Sequence, residues 1–256
     1  MELIQVEGVG LEVSRLPAST PGRAAIVFLH EGLGSVAMWR EWPERVCQET
    51  GRAGVVYSRR GYGQSQAITD VRGAGRLSPD YMHREALETL PPLLEELGIE
   101  SPVLLGHSDG ATIALIYASH FPVTACIAMA PHVIVEDQSI ESIEQARKAY
   151  ENGGLRERLQ RYHSDVDCAF WQWNDIWLSP AFREFDIRLE CRRIQAPVLA
   201  IQGEDDPYGT LRQVAEIEPT QGPLEKHVLP ACGHSPHRDQ PQQSLEIVTQ
   251  FLARLP

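Results

Sequence analysis

Basic residues are in short supply: 23 Lys and Arg face 35 Asp and Glu across 256 residues, a formal net charge of -12. Such a field repels phosphate backbones and anionic lipid, and no basic run along the chain is long enough to override it. Nucleic acid and membranes are therefore not expected partners. No stretch approaches the roughly 18 apolar residues that span a bilayer. The opening Met1-Glu2-Leu3-Ile4-Gln5 lacks a basic stretch followed by an apolar run, so the chain reads as soluble and unprocessed. Cysteine is sparse too. Cys47, Cys126, Cys168, Cys191 and Cys232 are odd in number, scattered and without a C-x-x-C pair, which argues against a disulfide framework or a zinc site. Free thiols point to a reducing, cytoplasmic setting. Repeats and low-complexity tracts are absent, and 43% hydrophobic with 23% charged residues is ordinary for a soluble globular protein.

What is present is an alternation. Short apolar runs bounded by turn residues recur at Ala24–Leu29, Gly54–Tyr57, Val103–Gly106, Ala125–Ala130, Val198–Gln202 and His227–Leu229, as expected of strands buried on both faces. Helical periodicity separates several of them, at Pro79–Leu97, Ala111–Ser119 and Gln243–Leu255. The pattern predicts an α/β fold with a mostly parallel twisted sheet and helices on both faces. Met1–Ser14 reads as an antiparallel edge hairpin, and Arg59–Leu77 as a long surface loop. Between about Pro131 and Arg193 the alternation gives way to helical patterns at Ile140–Ala149, Leu155–Tyr162 and Val166–Trp177. The expected organisation is one core, residues 1–131 and 194–256, with a helical cap (lid) at 132–193.

The strongest chemical signal is Gly106-His107-Ser108-Asp109-Gly110, a G-x-S-x-G between a strand pattern and a helix pattern. A sharp strand-to-helix turn lifts a serine hydroxyl clear of the sheet, and the flanking glycines relieve its crowding. Ser108 is the expected nucleophile. It needs a base and a carboxylate that fixes the base's tautomer. Gly203-Glu204-Asp205-Asp206-Pro207 follows a strand pattern and offers Asp206, with Asp205 a competitor and Glu204 a weaker one. Cys232-Gly233-His234-Ser235-Pro236-His237 offers His234 as base, with His237 the alternative. His234 and His237 lack a third ligand at metal-site spacing, so no metal or other cofactor is expected. An oxyanion hole is expected from the amides of Gly32 and Asp109, with Leu33 replacing Gly32 if the loop register shifts by one.

In Ala169–Trp177, helical spacing places Trp173 and Trp177 on one face and Trp171 elsewhere. That face either roofs a substrate pocket or packs the cap onto the sheet; His132 is a further candidate pocket residue.

Taken together, these motifs resemble the α/β-hydrolase fold family across the whole chain apart from the cap. The elbow, the His30–Gly34 loop, the Arg60-Gly61-Tyr62-Gly63-Gln64-Ser65 loop and the Gly203–Asp206 and Gly233-His234 pair fall in the family's order. Two positions depart from it: Glu31 stands where the family commonly has glycine, and Ser58 where an aspartate often precedes the Arg-Gly-x-Gly-x-Ser loop. Glu31 either repels developing oxyanion charge or turns away to bind something else. The resemblance implies a serine hydrolase acting through an acyl-enzyme on a small ester or lactone. The same triad also serves ring-fission carbon-carbon bond hydrolases, and the scaffold also serves as a non-catalytic binding protein. Substrate identity and oligomeric state are left open.

Overall fold

The computed structural model describes residues 1–219 and 221–255; Thr220 and Pro256, both in the second expected core segment, lie outside the described residues. Its strands are β1 (Glu2–Val6), β2 (Val9–Leu16), β3 (Ile26–Leu29), β4 (Gly54–Tyr57), β5 (Val103–His107), β6 (Ala125–Met129), β7 (Val198–Gly203) and β8 (Leu224–Leu229). Its helices are α1 (Trp42–Thr50), α2 (Tyr81–Arg84), α3 (Leu90–Leu97), α4 (Asp109–Ala118), α5 (Asp137–Glu151), α6 (Gly154–Leu159), α7 (Val166–Trp177), α8 (Arg188–Cys191), α9 (Arg212–Ala215), α10 (Pro236–Asp239) and α11 (Pro241–Leu252). The strands form one sheet in the order β1-β2-β4-β3-β5-β6-β7-β8.

The expected edge hairpin is present: β1 and β2 pair antiparallel through a turn in which Glu7 and Gly8 both have positive φ. β2 also runs antiparallel to β4, and every other neighbouring pair is parallel. Strands β3 to β7 are buried at every position. That is why they read as continuous apolar runs, since helices cover both faces of a parallel sheet. On one face, α1 and α11 pack over Phe28, Leu105, Ile127 and Ile201. On the other, α2 to α4 cover Val27, Leu104 and Ala128.

One expected helix is broken. Over Pro79–Leu97 the chain forms α2, a wide π turn at Glu85–Thr89 and then α3. Pro91 and Pro92 have no amide hydrogen to bond the preceding turn, so the ladder is interrupted there. β8 begins at Leu224, earlier than expected, because its half-exposed residues conceal it among polar positions.

The segment between β6 and β7 holds α5, α6 and α7 where the sequence predicts helices, and the one-turn α8, which it does not. All five cysteines are buried and free. Among the described residues no helix is long and apolar enough to cross a membrane. Since β5, β6, β7 and β8 are adjacent and parallel, the loops after β5, β7 and β8 emerge at one edge of the sheet. Ser108, Asp206 and His234 all lie on those loops.

Candidate active site

Ser108 sits at the turn from β5 to α4 with φ 53° and ψ -120°, a strained conformation that costs about 1–3 kcal/mol and is held by its surroundings. The flanking glycines make the turn possible: a Cβ on Gly106 would meet the Gly110 carbonyl oxygen at 2.2 Å, and one on Gly110 would meet the Leu29 carbonyl oxygen at 2.0 Å.

The three expected side chains converge. Ser108 Oγ lies 2.8 Å from His234 Nε2, and His234 Nδ1 lies 2.9 Å from both oxygens of Asp206. With the Nδ1 hydrogen donated to Asp206, Nε2 presents a lone pair to the serine hydroxyl, the tautomer a general base requires. Asp206 is buried; Gln202 Nε2 donates to it at 2.6 Å and the Tyr208 amide at 2.8 Å. Burial opposes its ionisation, but the facing His234 and the Tyr208 amide outweigh burial and hold the carboxyl below its ordinary value. Asp205 and Glu204 are exposed at this turn, and of the three carboxylates it is Asp206 that meets His234. His237 is packed against Trp39 and Trp42, with both ring nitrogens buried and unpartnered. It does not reach Ser108; burial, then the neighbouring His107, pushes its pKa well down.

The loop after β3 is clamped from several sides. The Glu31 carbonyl accepts from Arg59 Nη2 at 2.9 Å, His30 Nδ1 at 2.6 Å and the Gly34 amide at 3.0 Å. His163 accepts the Gly63 amide at Nδ1 and donates from Nε2 to the Leu33 carbonyl. The Glu31 side chain turns toward Arg238 and His107: Oε1 accepts from Arg238 at 3.1 Å, and Oε2 lies 3.4 Å from His107 Nδ1. His107 Nε2 in turn donates to the His234 carbonyl at 2.7 Å. Burial opposes ionisation of Glu31, yet His107 and Arg238 hold its carboxyl well below the usual range. Of the two sequence alternatives for this residue, the structure takes the second. At the other departure, Ser58 Oγ donates to Glu12 Oε2, so a carboxylate from β2 anchors the loop where the family commonly has aspartate.

A cavity of about 200 Å³ opens over Ser108 and His234, below the roughly 300–1,000 Å³ of drug-sized ligand sites. Gly32, Leu33, Asp109, His132, Trp173 and Trp177 line it. Trp171 points elsewhere, stacked under the Arg72 guanidinium. Trp177 Nε1 donates to Tyr81 OH, which donates to the buried Asp109 carboxylate, itself 3.7 Å from Arg59. Burial, then the neighbouring His234, lowers the His132 imidazole to about 3, so this ring is neutral at working pH.

Gln202, Tyr208, Arg59, His163 and Arg238 were not singled out by sequence reasoning. Gln202 carried a faint signal, a polar residue ending an apolar strand. The others sit in loops or helices whose spacing says nothing about where they converge.

A model of the alpha/beta hydrolase family matches residues 26–246. The chain is 26% identical over 260 residues to the sn-1-specific diacylglycerol lipase ABHD11 of Mus musculus, covering 90% of this chain and 81% of that protein. Among solved structures, the enol-lactonase from Burkholderia xenovorans LB400 superposes with a TM-score of 0.74 at 17% identity, covering 98% of this chain and all of the other. An esterase from Exiguobacterium antarcticum gives 0.75 at 20% identity, covering 98% and 99%.

Proposed function

The chain belongs to the alpha/beta hydrolase family and is an enzyme of that type; from this premise we propose that it is a serine hydrolase of small carboxylic esters or lactones, with residues 132–193 as its lid. The carrying observation is the continuous hydrogen-bond path from Ser108 Oγ through His234 to Asp206. His234 takes the serine proton as Oγ attacks the acyl carbon, then gives it to the departing alkoxide. Water activated by the same nitrogen releases the acid. Asp206 stays ionised and stabilises the imidazolium that forms in between.

The amides of Gly32 and Asp109 are proposed to hold the oxyanion. In a trans peptide the N–H points opposite to its C=O. Because Arg59, His30 and Gly34 draw the Glu31 carbonyl to one side, the Gly32 amide is aimed to the other. This supports Gly32 over Leu33. Neither the Gly32 nor the Asp109 amide donates to a protein acceptor among the described residues. Asp109 therefore contributes its amide to the oxyanion while its carboxylate stays tied to Tyr81 and Arg59. His132, Trp173 and Trp177 form the acyl wall, and the cavity holds roughly seven water volumes at about 30 Å³ each, which favours a short acyl group.

The test is covalent labelling with a fluorophosphonate, followed by a panel of short esters, lactones and dienoic ketoacids. The wild type labels and turns over esters, and Ser108→Ala does neither. Labelling that survives in Ser108→Ala rejects the assignment. Turnover confined to the dienoic ketoacids moves the reaction to carbon-carbon bond cleavage.

A further inference from the structure

Arginines from three separate stretches converge on a hollow of about 230 Å³: Arg40, then Arg158 and Arg161 at the end of α6, and Arg238 of α10, with Met38 and Tyr162 completing the lining. In a chain of net charge -12, carboxylates are abundant, and most arginines have found one. Arg238 bonds Glu31; the other three do not follow suit. Among the described residues, the arginines that make no side-chain hydrogen bond, ion pair or ring contact are Arg40, Arg60, Arg158, Arg161 and Arg193, and three of these line this one hollow. Like charges brought together in a concavity repel one another unless an anion offsets them.

The hollow shares a wall with the catalytic cavity. Glu31 lines the cavity and bonds Arg238, while His163, next in the chain after Tyr162, donates to the carbonyl of Leu33, another cavity residue. The Glu31–Arg238 pair thus stands between the two hollows, and a single molecule must reach past it to have its carbonyl at Ser108 and a charged group among the arginines.

We propose that this hollow binds a phosphate group on the substrate, making the enzyme selective for short acyl esters of a phosphorylated alcohol. This rests on the serine-hydrolase reading and names its substrate class. Three unpaired guanidinium forks around one hollow match a dianion with several acceptor oxygens better than a single carboxylate, which one fork satisfies. In the reaction the acyl carbon gains the Ser108 Oγ bond and loses its bond to the alcohol oxygen. That oxygen receives the proton from His234, and the phosphate ester leaves intact.

The experiment compares acetyl esters of glycerol phosphate and of glycerol with the full chain at low salt. The phosphate-bearing ester is expected to show a KM about tenfold lower, a preference of about 1.4 kcal/mol that exposed ion pairs to these arginines can supply together. The preference shrinks at high salt. In the double variant Arg158→Ser/Arg161→Ser it disappears while kcat/KM for the neutral ester is unchanged. Calorimetric titration with inorganic phosphate gives a readout independent of turnover, with binding to the wild type and loss in the double variant. Equal KM values, a preference that survives the double variant, or no phosphate binding overturns the proposal. So does arginine-dependent binding to phosphatidylglycerol vesicles without preference for the soluble phosphate ester. Failure of fluorophosphonate labelling with phosphate binding intact instead sinks the underlying hydrolase reading.

Discussion

Replacing Glu31 by glutamine separates two roles for a carboxylate beside an oxyanion loop. Its Oε1 accepts from Arg238 at 3.1 Å and its Oε2 faces His107 at 3.4 Å, with the glutamate side chain 14% and the Arg238 side chain 37% exposed. Removing one partner of a fully buried pair costs about 3–5 kcal/mol, whereas exposed pairs contribute below about 1 kcal/mol. The intermediate exposure places Glu31→Gln at about 1–2 kcal/mol, read as a lower urea midpoint with unchanged slope. The pH dependence follows from the direction of the Glu31 shift. A carboxyl held well below its ordinary value contributes stability that is complete above its unfolded pKa, about 4.3, and is lost as pH falls through the folded value. The difference between wild type and variant is therefore constant from about pH 5 to 8 and shrinks below about 4.3. Catalysis changes little, by less than about tenfold. The Glu31 carbonyl keeps its donors, and His107 still donates to the His234 carbonyl. A tenfold rise in kcat would mean that the carboxylate opposes the oxyanion, and unchanged stability at pH 7 would mean that the two contacts contribute nothing; either refutes the reasoning.

Acid unfolding reports on His132, whose folded pKa of about 3 lies below the unfolded value of about 6.5. Between those values the unfolded chain binds one more proton there, so stability falls on acidification by about 1.4 kcal/mol per pH unit. His132→Leu should flatten the urea-derived stability profile by that slope between pH 6 and 4; an unchanged slope contradicts it. Gly32→Ala places a Cβ 2.3 Å from Trp173 Nε1, which forces the indole or the loop to move. A tenfold or larger loss in kcat/KM is expected, with partial recovery on adding Trp173→Leu. A coupling below about 0.5 kcal/mol in the double-mutant cycle would show that the two residues do not share the site.

Much of this site is visible in the chain because each chemical group is tied to a local event. Ser108 is found from glycines that a strand-to-helix turn demands, Asp206 from the turn after an apolar strand, and His234 from a Cys-Gly-His turn after a short strand pattern. The supporting groups carry no such mark. Arg59, His163 and Arg238 come from the loop after β4, the connection between α6 and α7 and a one-turn helix, and no periodicity relates them. Glu31 was legible as an anomaly, yet its direction was not, since the partners that turn it lie 76 and 207 residues away.

The amino-acid order alone determined the α/β class and the edge hairpin, placed helices between β6 and β7, and narrowed the candidate site to Ser108 and two short turns. Each depends on short-range patterning, burial period and turn chemistry. Tertiary structure brought Asp206 rather than Asp205 to His234, buried His237 against Trp39 and Trp42, drew the Glu31 carbonyl to Arg59 and gathered four arginines around one hollow of an acidic protein. Those outcomes depend on which distant side chains meet once the sheet has brought its loops to one edge, and packing in three dimensions sets that distance.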